Sequence, residues 1–477
     1  MRNCGGRGVA SATLPVDKAG DETGPGQAAM TRQRVVIVGG GFSGAAVAAH
    51  LARRRGLVDI TLIERRRRVG PGLAYGTKDP AHLLNVRASN LSAFPDQPDH
   101  FVGWLQRHGG RGTQPATRFA QRGQYGAYVE SVVRQARPLL GSNLAVVRGG
   151  VIGCSAEGEG WRLALDNGRT IAADAVVLAL GNAPPSAPGF FKSADVPMVN
   201  PWDAEGLTRM RQGDVLLLGT GLTSVDVALS FARMRRRGVI YALSRRGQLP
   251  RVHLSNAAPP HPRAVGLPES LANSLFILRK EAEQAAERGE PWQHVIDRLR
   301  SSTPALWQRL SAQAQRRFLR HLRPWWDAHR HRMAPEIAAQ IGKLQREGRL
   351  RVLAGEIVSA ERQGAVIHLH HRQRGSMVRH RFEVTGVVNC TGASMDLSAS
   401  ADPLVRDLFD SGLVRSHASG LGIDVDAQGR VVSNDGVAHA NLYALGPITQ
   451  GVFWESTAVP EIRLHAAAIA DALTQQS

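Results

Sequence analysis

"RVVIVGGGFSGAAVAAHL", residues 34–51, sets an apolar run against three consecutive glycines and follows them with an alanine-rich stretch suited to a helix. A short apolar run of this kind reads as a buried parallel strand. Between it and the helix, the spacing Gly39-x-Gly41-x-x-Gly44 is the pattern that brings backbone against a pyrophosphate. Gly39 permits the tight turn, Gly41 lets the main chain approach the phosphates, and Gly44 lets helix and strand pack closely. The phosphates would sit at the helix N-terminus, where free N–H groups and the dipole favour negative charge.

The next stretch, "VDITLIE", alternates as a strand does and ends at Glu64, twenty residues beyond Gly44. A carboxylate there can accept hydrogen bonds from ribose hydroxyls. The run Arg65 to Arg68 that follows reads as a solvated edge.

The pattern then repeats. "DVLLLGTGLTSVDVALSFARMRRRGVIYALSRRG" is again strand, glycine loop, helix and strand, with Gly219-x-Gly221-x-x-Ser224 as its fingerprint. Its second strand ends without an acid, and Arg245 and Arg246 stand where the 2′-phosphate of a nicotinamide cofactor would lie. Each unit is also followed by paired alternating strands and a buried strand, ending at Gly181 in the first and Gly392 in the second. Such a duplication predicts an α/β chain of two Rossmann-like domains, the organisation of two-dinucleotide flavoproteins. FAD is expected in the first site, because the ribose-binding acid is there and the chain returns to it at the end. NAD(P)H is expected in the second.

The expected division is residues 1–30 as a disordered extension, 31–200 and 396–477 as the two parts of the FAD domain, and 201–395 as the NAD(P) domain. A helical insertion is expected at about 268–348. The last part, "NLYALGPITQGVFWESTAVPEIRLHAAAIADAL", reads as a strand ending near Gly446 and a helix. Ser456 and Thr457 are candidate caps of that helix, with Pro460 and Glu461 in its first turn.

Composition narrows the function. Lys and Arg outnumber Asp and Glu by 59 to 40, a formal charge of +19. Nearly all the basic residues are Arg, however, spread along the chain without a nucleic-acid-binding motif, so no nucleic-acid partner is expected. Cys4, Cys154 and Cys390 are isolated, which excludes a disulfide framework, a zinc cluster and a C-x-x-C redox pair. Together with the absence of a signal-peptide pattern or a membrane-length apolar run, this predicts a cytoplasmic protein with no membrane partner. Met30, immediately before "TRQRVVIVGGG", is a plausible alternative start.

With these pieces in place the chain resembles the FAD/NAD(P)-binding family that includes bacterial FAD-dependent urate hydroxylases. Four stretches carry the resemblance: "VVIVGGGFSG", "GPGLAYGTKDPAHLLNVRASNLSAFPDQPDHFVGWL", "HLRPWWDAHRHRMAP" and "GPITQGVFWESTAVPEIR". It covers nearly everything from Met30 onward. In this organisation the "LLNVRASNLS" segment runs past the flavin ring, which makes Asn85 the candidate side chain contacting it.

In "RFLRHLRPWWDAHRHRMAPEIAAQI", Asp327 and His331 would share a helix face if Pro324 opens a helix. They are expected as a hydrogen-bonded pair fixing an interdomain contact, with no metal. Trp292, Trp307, Trp325 and Trp326 are expected as core or interface aromatics.

The reaction the resemblance implies is hydride transfer from NAD(P)H to FAD, then attack of O2 on the reduced flavin. The resulting hydroperoxide would hydroxylate a small-molecule substrate, urate, to 5-hydroxyisourate in purine breakdown. Two alternatives stand beside it: an N-hydroxylase of an amino acid or amine, and a flavin-bound redox sensor without turnover. NADH versus NADPH, the residues facing the reacting atom and the oligomeric state stay open at this point.

Overall fold

A computed structural model describes residues 32–54, 58–108, 114–137, 143–255 and 266–475. The expected N-terminal extension lies outside these. The quoted stretch forms strand β1 (Gln33–Val38) and helix α1 (Phe42–Ala52), and β2 (Val58–Glu64) lies parallel to β1 with Val38 opposite Ile63. The chain continues through α2 (His100–His108), α3 (Arg122–Ala136) and β3 (Asn143–Arg148). An antiparallel layer follows, β4 (Val151–Glu157), β5 (Gly160–Leu165) and β6 (Thr170–Ala173), before β7 (Ala175–Leu178) returns beside β1.

β1 reads as an unbroken apolar run because both its faces are covered. Val35 and Ile37 pack with α1, α3 and the C-terminal helix, whereas Val36 and Val38 pack with the antiparallel layer. Every residue of α1 is buried, and its small side chains let neighbouring helices approach on more than one side.

The second unit opens with α4 (Gly189–Ser193), β8 (Met198–Val199) and α5 (Ala204–Arg209). Its Rossmann core is β9 (Val215–Leu218), α6 (Leu222–Arg233) and β10 (Ile240–Ser244). The helical insertion follows as α7 (Leu271–Glu287), α8 (Trp292–Arg298), α9 (Thr303–Arg309), α10 (Ala312–His321), α11 (Arg323–Arg330) and α12 (Pro335–Arg346). Then come β11 (Leu350–Gln363), β12 (Val366–Gln373), β13 (Arg379–Val384) and β14 (Gly386–Asn389). The chain closes with α13 (Pro403–Asp410), β15 (Arg430–Val432), β16 (Ala438–Ala444) and α14 (Val459–Gln475).

The sheets state the duplication directly. The first has the order β15-β16-β7-β1-β2-β3, the second β13-β12-β11-β10-β9-β14-β8. Strand for strand, β14-β9-β10-β11 repeats β7-β1-β2-β3, all parallel. One difference is structural economy: β4 to β6 form a separate sheet, whereas β11 runs on for 14 residues and pairs directly with β12.

β8 pairs with β14, and Phe191 of α4 shares an apolar cluster with Leu216 and Val387, so residues before 200 already join the second sheet. In the insertion, α12 buries Ile337, Ile341 and Leu344 against the core of the second sheet and leads into β11. It is therefore the crossover helix that a parallel β10–β11 pair requires, and the added helices are α7 to α11. Among the described residues no helix is long and apolar enough to cross a membrane.

Candidate functional site

The three glycines of the first loop are required for different reasons. Gly39 has φ +104°, and a Cβ there would lie 2.4 Å from the Ala179 carbonyl oxygen. At Gly44 a Cβ would lie 1.9 Å from the Gly39 carbonyl oxygen, a contact that close helix–strand packing forbids. Gly41 has neither constraint. Its backbone is ordinary extended chain, φ −73° and ψ −168°, and the nearest atom to an added Cβ is Gly72 Cα at 3.6 Å. The protein itself leaves that space free.

A groove runs over this loop. Gly39, Gly41, Glu64, Gly150, Gly181 and Pro447 line it, and the Gly72–Tyr75 turn and Thr457 complete its walls. Both halves of the first domain contribute, because β7 and β16 end side by side beneath it. Gly181 turns the chain there with φ +72°, and at Gly446 an added Cβ would stand 2.6 Å from Ser43 Oγ.

Glu64 is buried at the groove edge. Its Oε2 accepts from Gly40 N–H at 2.8 Å and its Oε1 from Arg66 N–H at 2.7 Å, which holds the carboxylate in place. Each oxygen keeps a second lone pair for a further donor such as a ribose hydroxyl.

The second loop repeats this geometry in neutral form. Gly219, with φ +123°, passes 2.3 Å from the Cys390 carbonyl oxygen when given a Cβ, whereas a Cβ at Gly221 would have nothing within 4 Å. Ser224 is buried at the position of the third glycine. Where Gly40 meets Glu64 in the first loop, Thr220 Oγ1 lies 2.8 Å from Ser244 Oγ in the second.

Beyond Ser244, Arg245 is exposed. Arg246 donates to the His321 carbonyl at 2.9 Å and lies 5.4 Å from the Trp325 ring. Burial, together with the like charges of Arg374 and Arg245, lowers the Arg246 pKa, so three guanidinium groups share this corner.

Both loops leave their helix N-termini open. Gly41 caps α1 and Gly221 caps α6 without a side-chain hydrogen bond, and neither first turn holds an acidic residue. α4, α8, α9 and α11 also lack a side-chain cap and a first-turn acid, so what distinguishes α1 and α6 is the glycine loop at the end of a parallel strand that leads into each. The free N–H groups at the two loops suit an anion, so the residues present fit a dinucleotide pyrophosphate at each.

The insertion closes over the C-terminal segment. Trp307 stacks on Trp454 at 4.5 Å and donates its indole N–H to the Gly451 carbonyl at 2.6 Å. A buried ion pair joins Arg330 to Glu455 at 3.0 Å, and Arg300 forks onto Glu461 with both bonds at 3.0 Å.

These contacts, rather than Asp327 and His331, fix the seam. His331 Nε2 and Asp327 Oδ1 stand 3.9 Å apart, beyond hydrogen-bond reach, while Asp327 Oδ2 accepts from Arg323 Nε at 3.4 Å. Trp307 and Trp326 pack in this cluster as expected, while Trp325 is 41% exposed beneath Arg246. Trp292 meets His329 edge-on.

α14 opens at Val459, so Ser456 falls before it, and its buried hydroxyl has no partner among the described residues. Thr457 is instead a groove residue. Asn85 lies in a bend at the domain seam, where its carbonyl accepts from His253 Nε2 at 2.9 Å. It is not among the groove-lining residues.

What sequence reasoning missed is a buried polar cluster between the domains, built from Asp79, His82, Arg122, Asp226 and Ser230. The compact "DPAH" of residues 79–82 is its only local signal.

Comparison with known proteins agrees with this geometry. Residues 36–183 match the family described as FAD-NAD(P)-binding. No curated protein matches the chain in sequence. Among solved structures, it is similar to the ornithine N-hydroxylase KtzI of Kutzneria sp. 744, solved with reduced FAD, NADP+ and L-ornithine. That likeness has 15% identity and a TM-score of 0.63, over 94% of this chain and 100% of that one. L-lysine 6-monooxygenase of Pseudomonas syringae gives 17% identity and a TM-score of 0.61, over 93% and 99%. The FAD-bound cadaverine monooxygenase DfoA of Erwinia amylovora gives 12% and 0.63, over 93% and 95%. At these identities the likeness establishes the fold: an α/β chain with the two-dinucleotide architecture of flavoproteins.

Proposed function

We propose that the chain is an FAD-dependent, NAD(P)H-consuming monooxygenase that hydroxylates an amine nitrogen of a small amino acid or diamine. The observation that carries the cofactor assignment is the repeated strand, glycine loop and helix, in which Gly41 and Gly221 each open a helix after a parallel strand and stand beside space that no protein side chain fills. In this reading Gly39, Gly41 and Gly44 shape the FAD loop, Glu64 takes the ribose, and Gly181 and Gly446 pass beneath the ligand. Gly219, Gly221 and Ser224 hold the second pyrophosphate, and Arg245 and Arg246 favour NADPH through its 2′-phosphate.

Bound FAD supplies the two-electron chemistry with oxygen, and the protein binds, orients and excludes water. A dithiol route is disfavoured by the cysteines. Cys154 and Cys390 are buried, and burial pushes both thiols well above their ordinary pKa, Cys154 to about 12.

The amine rests on analogy with ornithine, lysine and cadaverine enzymes that match nearly the whole chain. That analogy supports an amine over urate, which the sequence resemblance implies and which an Arg-rich protein would suit as an anion.

The deciding assay is NAD(P)H consumption in air by the FAD-loaded protein, offered ornithine, lysine, cadaverine and urate in turn. An amine should accelerate NAD(P)H loss and yield a hydroxylamine in step with it, with little peroxide. Urate loss in step with NAD(P)H would replace the amine by urate. If no substrate changes the rate or only peroxide rises, both substrates are wrong.

A further inference from the structure

The side chains of residues 79–82 do not line the groove. They reach across the seam to α6, the helix that Gly221 opens. Ser230 Oγ donates to Asp79 Oδ2 at 2.7 Å, and Arg233 Nε lies 3.0 Å from Asp79 Oδ1. His82 Nε2 stands 2.8 Å from Ser230 Oγ and 3.1 Å from the Asp226 carbonyl oxygen.

Because the serine proton is committed to Asp79, Ser230 must accept from His82, so Nε2 carries the imidazole proton. Nδ1 then accepts from Thr77 Oγ1 at 2.9 Å, and that hydroxyl accepts from Asp79 N–H at 3.1 Å. Arg122, the first residue of α3, completes the set. Its guanidinium meets Asp226 Oδ2 at 3.0 Å, and its backbone N–H donates to the His82 carbonyl at 2.8 Å.

The cluster links α6, the helix that Gly221 opens, to α3, which packs on the turn walling the first groove. Asp226 stands five residues after Gly221, early in α6. At the other end, α3 touches the turn that walls the groove, backbone against backbone. A Cβ at Gly126 would lie 2.3 Å from the Tyr75 carbonyl oxygen, and one at Gly123 2.8 Å from that of Thr77.

No flexible side chain intervenes there, and the links beyond it are hydrogen bonds and, at Arg122 and Asp226, an ion-pair contact between buried or half-buried groups. A buried ion pair adds little net stability over an apolar pair of the same shape, yet it is costly to break. That balance suits a device that fixes position.

We infer that Asp79, His82, Arg122, Asp226 and Ser230 are positioning residues that hold the second glycine loop at a set distance and angle from the first groove. This rests on the proposed function. The step served is NAD(P)H + FAD → NAD(P)+ + FADH−: one C–H bond of the nicotinamide breaks, and its hydrogen passes with both electrons to the flavin. Such a transfer is steeply sensitive to donor–acceptor geometry.

The test is anaerobic stopped-flow reduction of the FAD-loaded, full-length protein by NADPH and by NADH, for the parent, Asp226→Asn and Ser230→Ala. In both variants the limiting reduction rate should fall on the order of tenfold or more. Nucleotide Kd, FAD content and air reoxidation of dithionite-reduced enzyme should stay near the parent values. With Arg122→Gln measured as well, the fold-loss in Arg122→Gln/Asp226→Asn should be smaller than the product of the two single fold-losses.

A folded, FAD-loaded variant with the parent's limiting rate overturns the inference even if its unfolding temperature drops. Where Asp226→Asn fails to fold, Ser230→Ala decides. If neither nucleotide reduces the parent protein, the proposed function falls, and this inference with it.

Discussion

Gly41→Ala separates what the protein needs from what a ligand needs. The position has φ −73° and ψ −168°, available to any residue, and the nearest protein atom to the new methyl would be Gly72 Cα at 3.6 Å. For the apoprotein the substitution should be neutral or stabilising by about 0.4–1 kcal/mol, because it removes freedom from the unfolded chain. For the ligand the methyl enters the space through which backbone approaches pyrophosphate. An intrusion of that size into a filled contact costs about 1–3 kcal/mol, or roughly 5- to 150-fold in Kd.

The assay is titration of apoprotein with FAD by flavin fluorescence, beside the unfolding temperature of the apoprotein. Gly41→Val should lose FAD altogether on dialysis. Gly44→Ala is the contrast: its Cβ would stand 1.9 Å from the Gly39 carbonyl oxygen, so it should unfold the loop with or without ligand. A yellow, fully loaded Gly41→Val with the parent's affinity would refute the assignment of the groove. An apoprotein of Gly41→Ala that melts well below the parent would refute the claim that the protein does not need this glycine.

Two further outcomes follow from the same reasoning. Gly221→Ala, at φ −78° with nothing within 4 Å of its Cβ, should keep its FAD and weaken NAD(P)H binding by a comparable factor. An unchanged nucleotide Kd in flavin-reduction titrations would count against the second site. The other concerns acid stability. Burial pulls the His50 pKa from 6.5 to about 4, helped by Arg54 and Arg53 and opposed by the Ala93 carbonyl and Asp96. Between those values the unfolded chain binds a proton that the folded one refuses, so stability falls as pH drops, by up to about 1.4 kcal/mol per pH unit. His50→Gln should flatten that part of the thermal-unfolding profile from pH 7 to 4, and a profile parallel to the parent's would refute it.

The glycine loops were legible because their causes are local. Strand, turn and helix lie within a few residues of one another, so spacing alone carries the geometry. The duplication was legible for the same reason, taken twice. The second domain's start was not, because β8 is two residues long and only its pairing with β14, nearly two hundred residues away, gives it a place. α12 was grouped with the insertion because amphipathic helices look alike in sequence. Its role as a crossover follows from β10 and β11 being parallel neighbours. Asp327 and His331 had the right spacing to meet, yet spacing does not fix their side-chain rotamers, and Asp327 pairs with Arg323 instead.

The domain seam was the least legible part, and for a physical reason. His82 finds its partners 144 and 148 residues away, and Asp79 finds Ser230 at a separation of 151. No periodicity or motif links such positions in a single chain. Even within the legible loops, a G-x-G-x-x-G pattern does not say which glycine serves the fold and which serves a ligand. The structure divides them: Gly39, Gly44 and Gly219 are held by carbonyl oxygens of this chain, whereas Gly41 and Gly221 face space with no protein atom in close contact. Because this division recurs at both loops, each between a parallel strand and the helix it leads into, the reading of two nucleotides rests on place in the fold as well as on the pattern itself.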